Sequence, residues 1–135
     1  MYGELVMSVF DAAPDILTAI HDYFSGAAAV LVATDCADAC PIETVALEVA
    51  SSNELLRLAT VEVFESWTVS ARERFESAGL DAATSRDLAI ATISLLEGAF
   101  ILCRSTRTTE TLEAAESSAT TVVEAALRAS SVPLP

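Results

Sequence analysis

The chain has 135 residues, with seven Arg, no Lys and 20 acidic residues, for a formal net charge of −13. That length fits a single domain, 1–135, able to bury a core without disulfides or metal. The charge argues against nucleic-acid binding by this chain, because affinity for phosphate backbones comes from cationic contacts.

The asymmetry sharpens the point: the first basic residue is Arg57, and the 56 residues before it hold nine acids and His21. No positively charged start precedes an apolar run, so no signal peptide is expected and the expected location is cytoplasmic. Three cysteines, Cys36, Cys40 and Cys103, are an odd number that fits reduced thiols better than a disulfide framework. Cys36 and Cys40 could form half of a metal site, but the remote Cys103 and the single His21 fall short of the four clustered ligands zinc needs. No metal and no cofactor is expected.

Residues 1–12, MYGELVMSVFDA, place Leu5, Val6, Val9 and Phe10 on one helical face and read as the remnant of a preceding helix. A second helix is predicted over Asp15 to Ala33, with Pro14 near its start and Ile16, Leu17, Ile20, Tyr23 and Phe24 at helical spacing. Gly26 interrupts it, and a bend or break is expected near Ser25-Gly26. Thr34 to Pro41 is polar and ends in proline, so it reads as a loop, and Ile42 to Ala50 restarts a helix with Val45, Ala46 and Val49 facing inward.

Ser52 or Asn53 caps the next helix, which runs to Ala78 with Leu55, Leu58, Ala59, Val63, Phe64, Trp67, Ala71 and Phe75 as its apolar stripe. Gly79 stops it and Asp81 caps its successor, a tight link that makes the two helices antiparallel neighbours. Arg104 to Thr109 reads as a polar loop. The last helix, from about Thr109 to Ala129, carries Leu112, Ala115, Ala119, Val122, Ala126 and Ala129 in steps of three and four. This seam of mostly small residues suits close packing on a symmetry mate. Ser130 to Pro135 is expected to be a flexible tail.

Between these segments lies Leu88 to Cys103, LAIATISLLEGAFILC, with Glu97 as its one charge in sixteen residues. An amphipathic helix on a monomer keeps one polar face for water, whereas here Leu88, Ile90, Ile93, Leu95, Leu96, Phe100, Ile101 and Leu102 go round the whole circumference. A membrane span needs about 18 to 20 uninterrupted apolar residues, and Arg86, Asp87 and Arg104 close this run too early. The segment is therefore predicted to place one face in its own core and another against a second subunit.

Signs of catalysis are missing. A carboxylate-bridged metal site in a bundle needs paired Glu-x-x-His motifs, which a single His forbids. No nucleophile elbow, phosphate-cradling loop or Cys-plus-His constellation is present, so the chain is expected not to be an enzyme. His21 reads as a surface or core-edge histidine. Glu97, a carboxylate within an apolar helix, must be paired, protonated or turned toward a cavity. It either reaches Arg104, Arg107 or a partner-subunit arginine, or anchors a ligand pocket. Tyr23, Phe24, Phe64 and Trp67, with Phe75, could line such a pocket between helices, or simply fill the core.

Several of these segments together resemble the C-terminal domain of TetR-type transcriptional repressors, in the branch containing LmrA and YxaF. The resemblance is carried by Cys40-Pro41-Ile42, Ala46-Leu47-Glu48, the Phe64 to Trp67 segment, Ala78-Gly79-Leu80, and Leu96-Glu97-Gly98-Ala99 followed by Arg104, and it covers roughly residues 15–128. It implies an all-α, antiparallel bundle of about five or six helices that dimerises by pairing its last two long helices into a four-helix bundle. The expected interface draws on Leu88, Leu95, Gly98, Leu102, Leu112, Ala115, Ala119, Val122 and Ala126.

The family's operator-binding helix-turn-helix domain is not recognisable in this sequence, which resembles the sensing half alone, through truncation or as a stand-alone relative. The expected function is thus a homodimeric effector-sensing domain that binds a small, largely apolar molecule, touches DNA only through a helix-turn-helix domain outside this chain, and involves no membrane. Tyr23, Phe24, Phe64, Trp67 and Glu97 are the ligand-binding candidates. The rival reading is a ligand-free structural dimerisation module.

Overall fold

The computed structural model describes residues 12–37 and 40–131, which form five helices. These are α1 (Ile16–Ala33), α2 (Pro41–Val49), α3 (Glu54–Ser77), α4 (Ala82–Thr106) and α5 (Glu110–Ser130), with no strand among the described residues. The expected helix over residues 1–12 lies outside them except at its last residue, as does the tail from residue 132; Ser130 is the last residue of α5.

Local chemistry explains where the helices begin. The Asp15 carboxylate accepts from the Thr18 backbone N–H at 2.9 Å, and Asn53 accepts from that of Leu56 at 3.1 Å. Asp81 accepts from both Ala83 and Thr84 at 3.0 Å, satisfying amides that have no partner within α4. Pro41 opens α2, where its missing N–H costs nothing. Gly79 ends α3 at φ +99: its N–H reaches the Glu76 carbonyl and that of Leu80 reaches Phe75, a Schellman closure with Leu80 and Phe75 both buried.

Three expectations about the elements are corrected. α1 runs unbroken through Ser25-Gly26, because one glycine costs a helix only about 1 kcal/mol and the burial of Ile20, Tyr23, Phe24 and Leu31 outweighs it. The polar stretch after Cys103 is not all loop. α4 continues to Thr106 and stops where Arg107 turns left-handed at φ +57. On α3 only the second half of the apolar stripe is inside: Trp67, Ala71 and Phe75 are buried, while Leu55 is 81% exposed and Leu58 and Ala59 are also exposed. That first part of α3 projects beyond the bundle, beside α2.

The packing places α4 between α3 and α5, with α1 on α5 and α2 on α3. Short links make α3 and α4, and α4 and α5, antiparallel neighbours. The core comes from Ile20, Phe24 and Leu31 of α1, Trp67 and Phe75 of α3, Leu88, Leu96, Phe100 and Cys103 of α4, and Leu112, Ala119 and Val123 of α5. α1 and α4 are long and apolar enough to cross a membrane by length and composition, a test that bundle core helices also pass.

The α3–α4 turn offers a direct check. A Cβ at position 79 would meet nothing within 4 Å, so Gly79→Ala is expected to cost only its backbone strain, roughly 1–2 kcal/mol. Asp81→Ala removes the cap and is expected to cost about 1 kcal/mol in urea unfolding.

Candidate functional site

One group of titratable side chains lies within the bundle around Glu97. This residue lies in the middle of α4, with Leu96 buried on one side and Gly98 exposed on the other. Facing it are Cys40, the residue that opens α2, and Glu43, one turn into that helix. Tyr23 of α1 is buried within electrostatic reach of both Glu97 and Cys40.

Cys40 and Glu43 both act on the titration of Glu97, the Cys40 thiol lowering it and the Glu43 carboxyl raising it. Burial, reinforced by the neighbouring Glu43 charge, lifts Glu97 to about 7. Burial also raises Glu43, against the pull of the Glu97 hydrogen bond and the Arg104 charge. Of the two carboxyls, Glu97 is the one whose titration is lifted toward neutrality. Burial pushes the Cys40 thiol up to about 12 and moves the Tyr23 phenol well above its usual range.

Within the chain neither Arg104 nor Arg107 is bonded to Glu97, against two of the expected partners: Arg107 pairs with Asp35 at 3.4 Å, and Arg104 acts on Glu43 only at a distance. Glu43 Oε1 and Glu97 Oε2 are buried with no hydrogen-bond partner. Among the described residues no three His, Cys, Asp or Glu side chains are placed to hold a metal ion.

The aromatic candidates form two separate couples. Tyr23 and Phe24 meet edge to face with centroids 5.8 Å apart, and Phe64 and Trp67 do so at 5.4 Å. Two clefts are resolved elsewhere. One of about 430 Å³ lies where the start of α1 meets the ends of α3 and α5, lined by Pro14, Ile16, Arg74, Ser77 and Leu127 among others. The other, about 320 Å³, is a groove on the outer side of α4 and α5, with Leu95, Gly98, Leu102, Ala114, Ala115 and Ser118 in its walls. Neither is lined by Tyr23, Phe24, Phe64, Trp67 or Glu97.

The expected interface residues divide accordingly. Leu88, Leu112 and Ala119 are buried by their own chain, so the inner seam of α5 is an intramolecular one, and it continues through Val123 in place of the expected Val122. Leu95, Gly98, Leu102 and Ala115 line the outer groove, Val122 is exposed and Ala126 is half-buried against the core.

Residues 17–118 match the family described as transcriptional regulator LmrA/YxaF-like, C-terminal domain. The chain belongs to this TetR-type family. It is also 30% identical over 110 residues to two uncharacterized HTH-type transcriptional regulators of Mycobacterium tuberculosis, from strains CDC 1551 / Oshkosh and ATCC 25618 / H37Rv. Each match covers 76% of this chain and 55% of the relative, so the chain spans about half the length of the curated relatives it matches. No solved structure matches it. The all-α TetR-type C-terminal fold follows from this membership and the five helices.

Sequence reasoning singled out Glu97 but missed its partners. Glu43 occupies the third position of α2, where a glutamate ordinarily reads as a solvent-exposed helix-start residue, and Cys40 reads as a loop residue before proline. Only the packing of α2 on α3, beside α4, brings them near Glu97.

The carboxyl pair makes stability depend on pH. An unfolded glutamate ionises near 4.5, whereas folded Glu97 holds its proton to about 7, so the folded state binds the extra proton between these values. Stability then falls as pH rises through that window and levels off above it. The His21–Glu116 pair, 2.6 Å between α1 and α5, raises His21 and adds a contribution of the same sign, present below 6.5 and lost above its folded value. Urea unfolding of Glu97→Gln is expected to match wild type at pH 5 and exceed it by about 1–2 kcal/mol at pH 8, allowing for partial solvent screening. His21→Gln is expected to reduce the remaining slope, to which the raised Glu43 also contributes with the same sign. A profile unaltered by Glu97→Gln would rule out a buried, proton-holding Glu97.

Proposed function

We propose that this chain is the effector-sensing and dimerisation domain of a TetR-like transcriptional repressor, acting in the cytoplasm as a homodimer and doing no chemistry. The observation that carries the reading is the unfinished burial of α4. Ile90, Ile101 and Leu102 are 44%, 48% and 52% exposed on a helix whose other side is core. Beside them runs the α4–α5 groove, walled by Gly98, Ala114, Ala115 and Ser118. Small side chains let a second pair of helices approach closely, and the apolar rim supplies the area to bury. Gly98 has nothing within 4 Å of where a Cβ would stand, so no contact within the chain calls for a glycine there.

The effector is a small, largely apolar molecule held between helices, with Glu97 at its polar end and the two aromatic couples as candidate walls. In the whole regulator, binding would weaken the operator affinity of a helix-turn-helix domain attached to this one. A second reading, a dimerisation module with a filled core, is favoured by one observation: Tyr23, Phe24 and Trp67 are buried within the packed core of the single chain.

Sedimentation tests the dimer. The wild-type chain is expected to be dimeric at micromolar concentration, and Gly98→Arg to be monomeric with unchanged helicity, because its side chain points into open space within one chain. A monomeric wild type would remove the basis for the interface. For the effector, thermal shifts with small apolar compounds separate the sensor from the filled module.

A further inference from the structure

The α4–α5 groove by itself gives a second copy little to hold. A stable homodimer buries about 800 Å² or more on each partner, and its centre is more apolar than ordinary surface. The groove is walled mostly by small side chains, with Leu95 and Leu102 as the large ones. Beyond it, Ile90, Ile101 and Val122 are the other large apolar residues exposed on these two helices. On the side of α4 away from α5, however, the apolar surface continues onto α3.

Arg86 Nη1 and Nη2 donate to the two carboxylate oxygens of Glu65 at 2.8 and 2.9 Å, which fixes how α3 lies along α4. The two helices are antiparallel, so the residue four before Glu65 and the residue four after Arg86 lie one turn along in the same direction and on the same side. That puts Val61 beside Ile90, and a further turn brings Leu58 level with Ser94, a groove residue. Leu58 and Val61 are 44% and 49% exposed.

Charge decides what can cover this face. On α5, Glu110, Glu113, Glu124 and Arg128 recur on one side, whereas the groove side carries Thr111, Ala114, Ser118 and, exposed at its far end, Val122. No residue lining the groove is charged. On the α3 side, Glu65 is neutralised by Arg86 and Glu54 by Arg57, and Glu62 of α3 and Asp87 near the start of α4 mark the edge. A cationic partner would be drawn to the acidic side of α5 instead. For a chain of net charge −13, a face cleared of unpaired acid is where a second, equally acidic copy approaches without repulsion.

We infer that the second copy seats on a face three helices broad, with Leu58 and Val61 of α3 packed against the partner beside the α4–α5 groove. The inference rests on the dimer proposed above and adds α3 to it. Val32 and Leu47, each 70% exposed, are barer side chains, but they belong to α1 and α2 and lie outside this face.

The test is sedimentation of the full 135-residue chain. Leu58→Ser/Val61→Ser is expected to raise the dimer dissociation constant about tenfold or more with helicity unchanged, and Val32→Ser/Leu47→Ser to leave it within about twofold. Footprinting of the wild-type chain with a photoreactive diazirine, across the dilution range that dissociates the dimer, is expected to show labelling of Leu58 and Val61 rising together with that of Ile101 and Leu102, while Val32 and Leu47 stay constant. A dimer indifferent to Leu58→Ser/Val61→Ser, or one that leaves these two residues as open to label as the monomer does, would overturn the proposal and leave the α4–α5 dimer standing. An equal loss in Val32→Ser/Leu47→Ser would overturn it as well, since any bare apolar residue would then serve. A wild type that is monomeric at every concentration ends both readings. If the α3 variant does not fold, the footprint of the wild type decides.

Discussion

The structure depends on covering one helix. α4 is apolar on nearly every side, and water tolerates such a surface poorly: each apolar side chain fully withdrawn from it contributes roughly 1.5–3 kcal/mol. α3 and α5 take up one side through Leu88, Leu96, Phe100 and Cys103. The remaining side, with Ile90, Ile101 and Leu102, stays open in the single chain. The inner seam of α5, Leu112, Ala119 and Val123, closes against the core, and the outer groove between the same two helices stays open in the single chain. Folding thus uses one face of this pair of helices and leaves the opposite face uncovered.

Against that apolar background Glu97 is the exception, and its setting accounts for its properties. The chain has 20 acidic residues and seven arginines, and the arginines whose ion pairs are described lie at exposed or half-exposed positions: Arg57 with Glu54, Arg86 with Glu65, Arg128 with Glu124. At Glu97 the structure brings in a second carboxyl and a thiol. The result is a raised titration point and buried oxygens without hydrogen-bond partners. Two segments far apart in sequence, the start of α2 and the middle of α4, are tied through this knot, with Tyr23 of α1 beside it. A change of charge at this junction therefore changes the cost of burying it.

The sequence by itself determined the elements. Caps and stops such as Asp15, Asn53, Gly79 and Asp81 act within a few residues of themselves, and hydrophobic periodicity follows from helix geometry, so five helices and the two-sided character of α4 were legible before any coordinates. So were the family resemblance and the oddity of Glu97. Only the tertiary structure decided which apolar stripe faces where. Leu55 and Leu58 follow the same spacing as Trp67 and Phe75, but the bundle covers only the second half of α3. Val122 and Val123 are neighbours in sequence, and the rotation of α5 against α4 and α1 buried the latter. The partners of Glu97 were likewise hidden, because periodicity describes one helix at a time. The meeting of Cys40 and Glu43 with a residue more than fifty positions away depends on how two helices dock, and that is set by the packing of the whole chain.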